Sequence, residues 1–322
     1  MLELETLRTL DLEAPSAPGR PAHLAAASGL RRSQDYIYVV GDDELNLAVY
    51  AMSDPGPGKL VRLFEGEMSS DEDVQQKQKP DLEAITLLPP FTRNPHGALL
   101  ALGSGTGETR ESGFVWSLGP EGELYGFPRL VDLSPLYDFQ QQHVADMNIE
   151  GVAITGDRVV LVNRGNSKEG ENVAIYLSLE EVTEALLSDF KLDASELLEV
   201  QSYDLGEKDG IPLAFSDVDA LPDGRLVFTA TAEGIPGTDH EDEDAGSAIG
   251  VIDQNGEVAY FEMIGDSDIA LEGVDARISD EDDSIDVLLC QDADDPDIAS
   301  PLYRATIPIS GDLEAGTGRI QE

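Results

Sequence analysis

Apolar residues recur with period two along most of the chain. The runs are YIYVV (36–40), NLAVYAM (46–52), ALLALG (98–103), GFVWSL (113–118), RVVLV (158–162), RLVFTAT (225–231) and DVLLC (286–290). Turn clusters such as DPGPG (54–58), GPEG (119–122), LPDG (221–224) and DQNG (253–256) separate them. Many short strands between regular turns predict an all-β protein.

The strands fall into repeats. Ser28-Gly29-Leu30 leads into Tyr36–Val40, and Glu150-Gly151-Val152 leads at the same offset into Arg158–Val162. Glu83-Ala84-Ile85, Ser216-Asp217-Val218 and Glu272-Gly273-Val274 open three further units. The five anchors 28, 83, 150, 216 and 272 stand 55, 67, 66 and 56 residues apart. Such a period is that of a four-stranded propeller blade. The prediction is one domain over 1–322, a five-bladed β-propeller, with six blades as the alternative. Only about three strands follow the last anchor, so Leu4–Leu12 is expected to pair with the last blade and close the ring. Two short helices are expected as insertions. Ser178 to Glu181 has capping-box spacing, with Leu179, Val182, Leu186 and Phe190 on one face. Ser134-Pro135 opens the other.

Charge narrows the function classes. Lys plus Arg number 20 and Asp plus Glu 65, a net charge of −45. No basic patch exists to release counterions, which argues against nucleic acid and anionic membranes. The single Cys290 excludes an intrachain disulfide framework and a cysteine zinc site. The opening MLELETLRTL lacks a basic start and a long apolar run, so no signal peptide is expected. Excess acid destabilises a compact chain in dilute buffer. Molar salt shortens the screening length to roughly 3 Å and relieves it. The expectation is a cytoplasmic protein of a high-salt organism.

The innermost strand of a propeller blade lines the central channel, so equivalent positions form a ring. Here the ring reads Ser28, Glu83, Glu150, Ser216, Glu272. Three carboxylates converge with no basic residue in the motif. At roughly 6 Å and an effective dielectric of 20, each pair repels by about 2–3 kcal/mol. A cation, a shared proton or water must relieve this. An all-oxygen set favours a hard cation, Ca²⁺ first and Mg²⁺ second. The second strand of each blade returns to the same face. It brings Asp42/Asp43/Glu44, Ser104/Thr106/Glu108, Asn163/Arg164/Asn166, Thr229/Thr231/Glu233 and Gln291/Asp292/Asp294 to the channel mouth, a candidate ligand site. Arg164 suits a phosphate or carboxylate.

These motifs resemble the five-bladed apyrases, the calcium-activated nucleotidases, which carry a Ser-Glu-Glu-Ser-Glu ring on a central calcium. IYVVGDDE, DLEAI, NIEGVAI with VNRGNS, FSDVDALPDGRLVFTATAE and ALEGVDA carry the resemblance. It implies calcium held by Ser28, Glu83, Glu150, Ser216 and Glu272, with Asp42, Asp43, Asn163 and Arg164 facing substrate. Glu44 stands where those enzymes have Arg, and GSGTGE lacks their basic and aromatic residues. The chain is also similar to phytase-like and other uncharacterised bacterial propellers. Three functions follow as expectations: a cation-holding scaffold for a small molecule or protein, a calcium-dependent phosphoester or phosphoanhydride hydrolase, and an esterase or lactonase. The sequence does not fix oligomeric state. GSGTG lacks a P-loop lysine, DADDPD lacks an EF-hand's glycine and glutamate, and His23, His96, His143 and His240 show no zinc spacing. The acidic runs 239–244 and 280–283 read as solvated loops.

Overall fold

A computed structural model describes residues 2–69, 71–144, 146–165, 171–193, 197–234, 244–264, 269–279, 284–293 and 295–308. Five four-stranded antiparallel sheets follow one another along the chain. Their inner strands are Ala27–Ser33, Leu82–Leu88, Ile149–Thr155, Ala214–Ala220 and Ala270–Ile278. They open blades 1 to 5 of a five-bladed propeller, as the anchor spacing predicts.

Period two explains how the blades cohere. Each second strand is buried on both faces, so its alternate side chains enter two different inter-blade cores. Ile37 and Val39 pack toward blade 5 with Leu288 and Leu302. Tyr38 and Val40 pack toward blade 2 with Leu99, Phe114 and Trp116. Leu100 and Leu102 then face blade 3, where they meet Val159 and Leu161. Val160 and Val162 meet Phe215 and Phe228 of blade 4. Val227 and Ile249 meet Val274 and Val287 of blade 5. This double burial is why the second strands read as unbroken apolar runs. Outermost strands cover one face only, and Lys59–Arg62 is mostly exposed or half-buried.

The ring closes as expected. Glu5–Thr9 pairs antiparallel with Pro301–Pro308, matching Glu5 to Arg304 and Thr9 to Pro301. The N-terminal strand completes blade 5 and covers an edge that would otherwise offer free backbone groups.

Among the described residues the α-helices are few and short. Leu179–Ser188 begins on Ser178, whose Oγ accepts from the Glu181 amide at 3.4 Å, as the capping box predicts. The helix stops at Ser188, and Phe190 lies beyond it at φ +60, packed on the blade 2–3 core. Ser134–Gln140 carries Pro in its first turn. A third helix, Glu72–Gln78, has no apolar face in the sequence to announce it. Asp71 caps its first turn by accepting from the Val74 amide at 3.2 Å. This helix links blades 1 and 2 and delivers Lys79 to the channel mouth. No described helix is long and apolar enough to cross a membrane.

Candidate metal centre at the channel mouth

All five anchors share one backbone device. In each blade the register between the first and second strands slips by one residue at the anchor. Ala27 pairs with Gly41 and Gly29 with Val40, leaving Ser28 unmatched. Glu83, Glu150, Ser216 and Glu272 are left out in the same way. A β-bulge re-aims the side chain it carries. Five equivalent bulges therefore place five equivalent polar residues at the same level of the channel. The inner strands also approach closely there. A Cβ on Gly151 would come within 2.7 Å of the Val218 amide, and one on Gly273 within 2.5 Å of Cys290 Sγ. Glycine after the anchor is thus a packing requirement in blades 3 and 5.

The two serines spend part of their capacity on the scaffold. Ser28 Oγ accepts from the Asp42 amide at 3.1 Å, and Ser216 Oγ donates to the Leu271 carbonyl at 2.6 Å. Glu150 Oε1 likewise accepts from Asn148 Nδ2 at 2.5 Å, and all three glutamates carry shifted carboxyls. Burial raises the Glu83 carboxyl well above its ordinary range, and Glu150, Asp81 and Asp42 push it further up against Lys79. Burial raises Glu150 to about 8, with Arg164 opposing and Glu233, Asp81 and Asp42 adding. Glu272 is likewise raised well above its usual value, first by burial, then by Glu233 and Glu150. The carboxylates therefore act on one another across the mouth.

Asp42, Asp81 and Glu83 come closest to a cation seat. One oxygen from each lies within 4.8 Å of the others, a span an ion bridges at Ca²⁺–oxygen distances of about 2.4 Å. Asp42 Oδ1 is buried and has no hydrogen-bond partner among the described residues. Burial raises the Asp42 carboxyl to about 6, against the pull of Lys79. Asp81 sits at φ +54, a conformation costly for a residue with a side chain. It is held there by Arg110 Nη1 at 3.0 Å, Lys79 Nζ at 2.7 Å and a hydrogen bond from Ser104 Oγ. Sequence reasoning missed Asp81 as a site residue, although it stands two residues before the Glu83 anchor.

The mouth is not free of bases. Lys79 bridges Asp42 and Asp81. Burial works to lower its affinity for a proton, but the two aspartates outweigh this and raise it. Arg164 donates to Glu233 and faces the fields of Glu150 and Glu272. Arg110, two residues past GSGTGE, supplies a basic group to Asp81.

A further base fills the channel below the ring. Arg31, three residues past Ser28, is 2% exposed. Its guanidinium donates to the carbonyls of Leu30 at 2.6 Å, Val152 at 3.0 Å, Val218 at 2.6 Å and Val274 at 2.7 Å. Each carbonyl lies two residues past an anchor. Asp217 Oδ2 receives Arg31 Nη1 at 3.0 Å, and Asp219 Oδ1 stands 3.7 Å from Nε. The ring motif itself carries no basic residue, but Arg31 stands directly below it. Arg31 was overlooked because the repeat aligns positions, and its counterparts in the other blades are not basic.

The other mouth residues divide. Asp42 joins the cation seat. Asp43 is held by Arg20 at 2.6 Å and by Gln75 Nε2 at 2.7 Å. Glu44 is buried against Arg20 and Ser16. Asn163 is fully buried, its oxygen accepting from the Asn148 amide at 2.8 Å and its nitrogen donating to the Asp146 carbonyl at 3.2 Å. Glu44 and Asn163 thereby brace loops, while Asp43 engages Arg20 and Gln75 through Oδ2. Ser104 and Thr106 gather on Asp81. Asn166, Asp294, His240 and the acidic stretches 239–243 and 280–283 lie outside the described residues, as does the Asp244 side chain.

Blade count, ring closure and an acidic mouth define a five-bladed propeller with a candidate metal centre at one end of its channel. The chain belongs to a family of unknown function, DUF6929, whose model matches residues 23–307. No curated protein matches it. Among solved structures it is similar to MPT-4, a mannose phosphorylase from Leishmania mexicana. The TM-score is 0.50 at 13% identity, covering 97% of this chain and 93% of that one. It is also similar to the glutaminyl cyclase of Myxococcus xanthus, with a TM-score of 0.45 and 11% identity, covering 95% and 97%. Both likenesses concern the fold alone, and neither protein is an apyrase.

Proposed function

We propose that the protein is a propeller scaffold that holds a Ca²⁺-like hard cation at the channel mouth and presents it to a small molecule or protein. The observation carrying this reading is the trio Asp42, Asp81 and Glu83, with three carboxylate oxygens within 4.8 Å. Glu150, Glu272, Ser28 and Ser216 stand at the same level as supplementary oxygens. Mg²⁺ is the second candidate, disfavoured by its strict octahedral demand. The net charge of −45 suits a high-salt cytoplasm, where screening removes self-repulsion.

A hydrolase needs groups beyond the ion to orient a substrate. Asp43, Asn163 and Arg164 are all engaged with neighbours, Asp43 with Arg20, Asn163 with the Asn148 amide and Arg164 with Glu233. That balance favours a scaffold over a phosphoester hydrolase, and over an esterase or lactonase. The test is a thermal melt in high KCl after chelation, with and without Ca²⁺. A saturable rise in Tm that Asp81→Asn or Glu83→Gln abolishes supports the site. The same shift in both variants, or none in the metal-free wild type, refutes it. Turnover of phosphate esters that disappears on chelation would move the reading to the hydrolase.

A further inference from the structure

The cation seat already has a cationic neighbour of the protein's own. Lys79 is 7% exposed. Its Nζ lies 2.7 Å from Asp81 Oδ1 and donates to Asp42 Oδ2. Both carboxylates belong to the trio that spans the seat. The ammonium is delivered there by its backbone: the Lys79 amide closes the helix Glu72–Gln78 on the Gln75 carbonyl at 2.8 Å, and Pro80 follows. Asp42 shows the incomplete state of the seat. Its Oδ2 has the lysine, while its buried Oδ1 has no partner among the described residues.

We propose that the Lys79 ammonium is a tethered competitor for this seat, so that Lys79 sets the affinity of the mouth for divalent metal. The proposal rests on the metal-site reading above. Its basis is charge and space. A divalent ion added to three carboxylates, Lys79 and Arg110 leaves the group net positive. Without Lys79 the same ion leaves it neutral. Lys79 also occupies lone pairs on two of the three carboxylates, so the ion must displace the ammonium or accept fewer oxygens. A tethered lysine of this kind would leave the metal-free group with one negative charge instead of two and yield the seat only above a threshold concentration.

The experiment is calorimetric titration of chelated protein with Ca²⁺ in high KCl, for wild type, Lys79→Met and Arg20→Met. Arg20 pairs with Asp43 and Glu44, outside the trio, and its variant controls for the general loss of a positive charge. Lys79→Met should bind at least roughly tenfold tighter than wild type, and Arg20→Met within about threefold of it. Wild-type binding with no gain in Lys79→Met, or an equal gain in Arg20→Met, overturns the competitor role and leaves the metal site standing. Binding by Lys79→Met alone supports the competitor role and overturns the metal reading for the wild type. Binding by neither overturns both. If Lys79→Met does not fold without ion, the Lys79 ε-methylene NMR signal of the wild type gives the answer. A shift that saturates with Ca²⁺ supports displacement, and an unmoved signal at saturation refutes it.

Discussion

Two levels of one channel, built by the same five inner strands, handle buried charge in opposite ways. Below the ring, the Arg31 guanidinium meets four carbonyls and Asp217, whose carboxylate also accepts the Val274 amide at 2.9 Å. Only Nε lacks a hydrogen bond, and Asp219 stands beside it. Both terminal nitrogens of that guanidinium are met by the protein's own groups. At the ring, burial and neighbouring carboxylates raise the proton affinity of Glu83, Glu150 and Glu272, and Asp42 keeps a buried oxygen without a partner among the described residues. A buried charge with matched partners holds a structure together, whereas an unmatched set stores the capacity to bind.

The largest break of this comparison is Arg31→Met. It leaves Asp217 buried without its counter-charge and orphans the carbonyls around it. Denaturant unfolding should show a loss of roughly 3–5 kcal/mol, and added Ca²⁺ should not restore it. Next in size is Glu83→Gln, which acts on the incomplete level. Burial already raises the proton affinity of the Glu83 carboxyl, so the change should cost little in chelated protein but remove the ion-dependent stabilisation, about 2.7 kcal/mol at a hundred times the dissociation constant. Melts at matched metal concentrations read the difference.

A smaller effect tests the ring carboxyls by pH. Glu150 titrates near 8 in the fold against an ordinary value of 4.5. Between those values the folded chain keeps a proton that the unfolded chain has released. The contribution of Glu150 is therefore full below about 4.5 and is lost as pH rises through about 8. Glu150→Gln should flatten that decline in metal-free melts, and a slope unchanged from wild type would contradict the shift. The smallest effect belongs to an exposed pair that serves neither level. Lys59 and Glu13 are 71% and 54% exposed at 3.7 Å. Lys59→Ala should change stability by well under about 1 kcal/mol, and less still in high salt.

Much of the architecture was readable before any coordinates. Alternation gave the second strands, whose two faces serve two blade interfaces, and the recurrence of Ser28, Glu83, Glu150, Ser216 and Glu272 gave the blade number. The capping box at Ser178 marked a real helix. The helix Glu72–Gln78 was missed because its EDVQQKQ sequence has no apolar stripe and rests on a single Asp71 cap. The site was less legible. Asp43 and Asn163 sit at mouth positions in the repeat, yet Arg20 and the Asn148 backbone claim them.

The sequence by itself determined the strand periodicity, the five repeats, the level at which the anchors lie and the acidity of the mouth. These are local or periodic properties, set by which side chains can share a face. Tertiary structure alone decided that each anchor is a bulged residue, that Arg31 plugs the channel and that Lys79 lies between Asp42 and Asp81. Arg31 has no basic counterpart in the other repeats, and Lys79 arrives from an inter-blade helix outside the repeat. Their destinations depend on closing five blades around one axis, where charges distant in the chain must share a space too small to leave them unpaired.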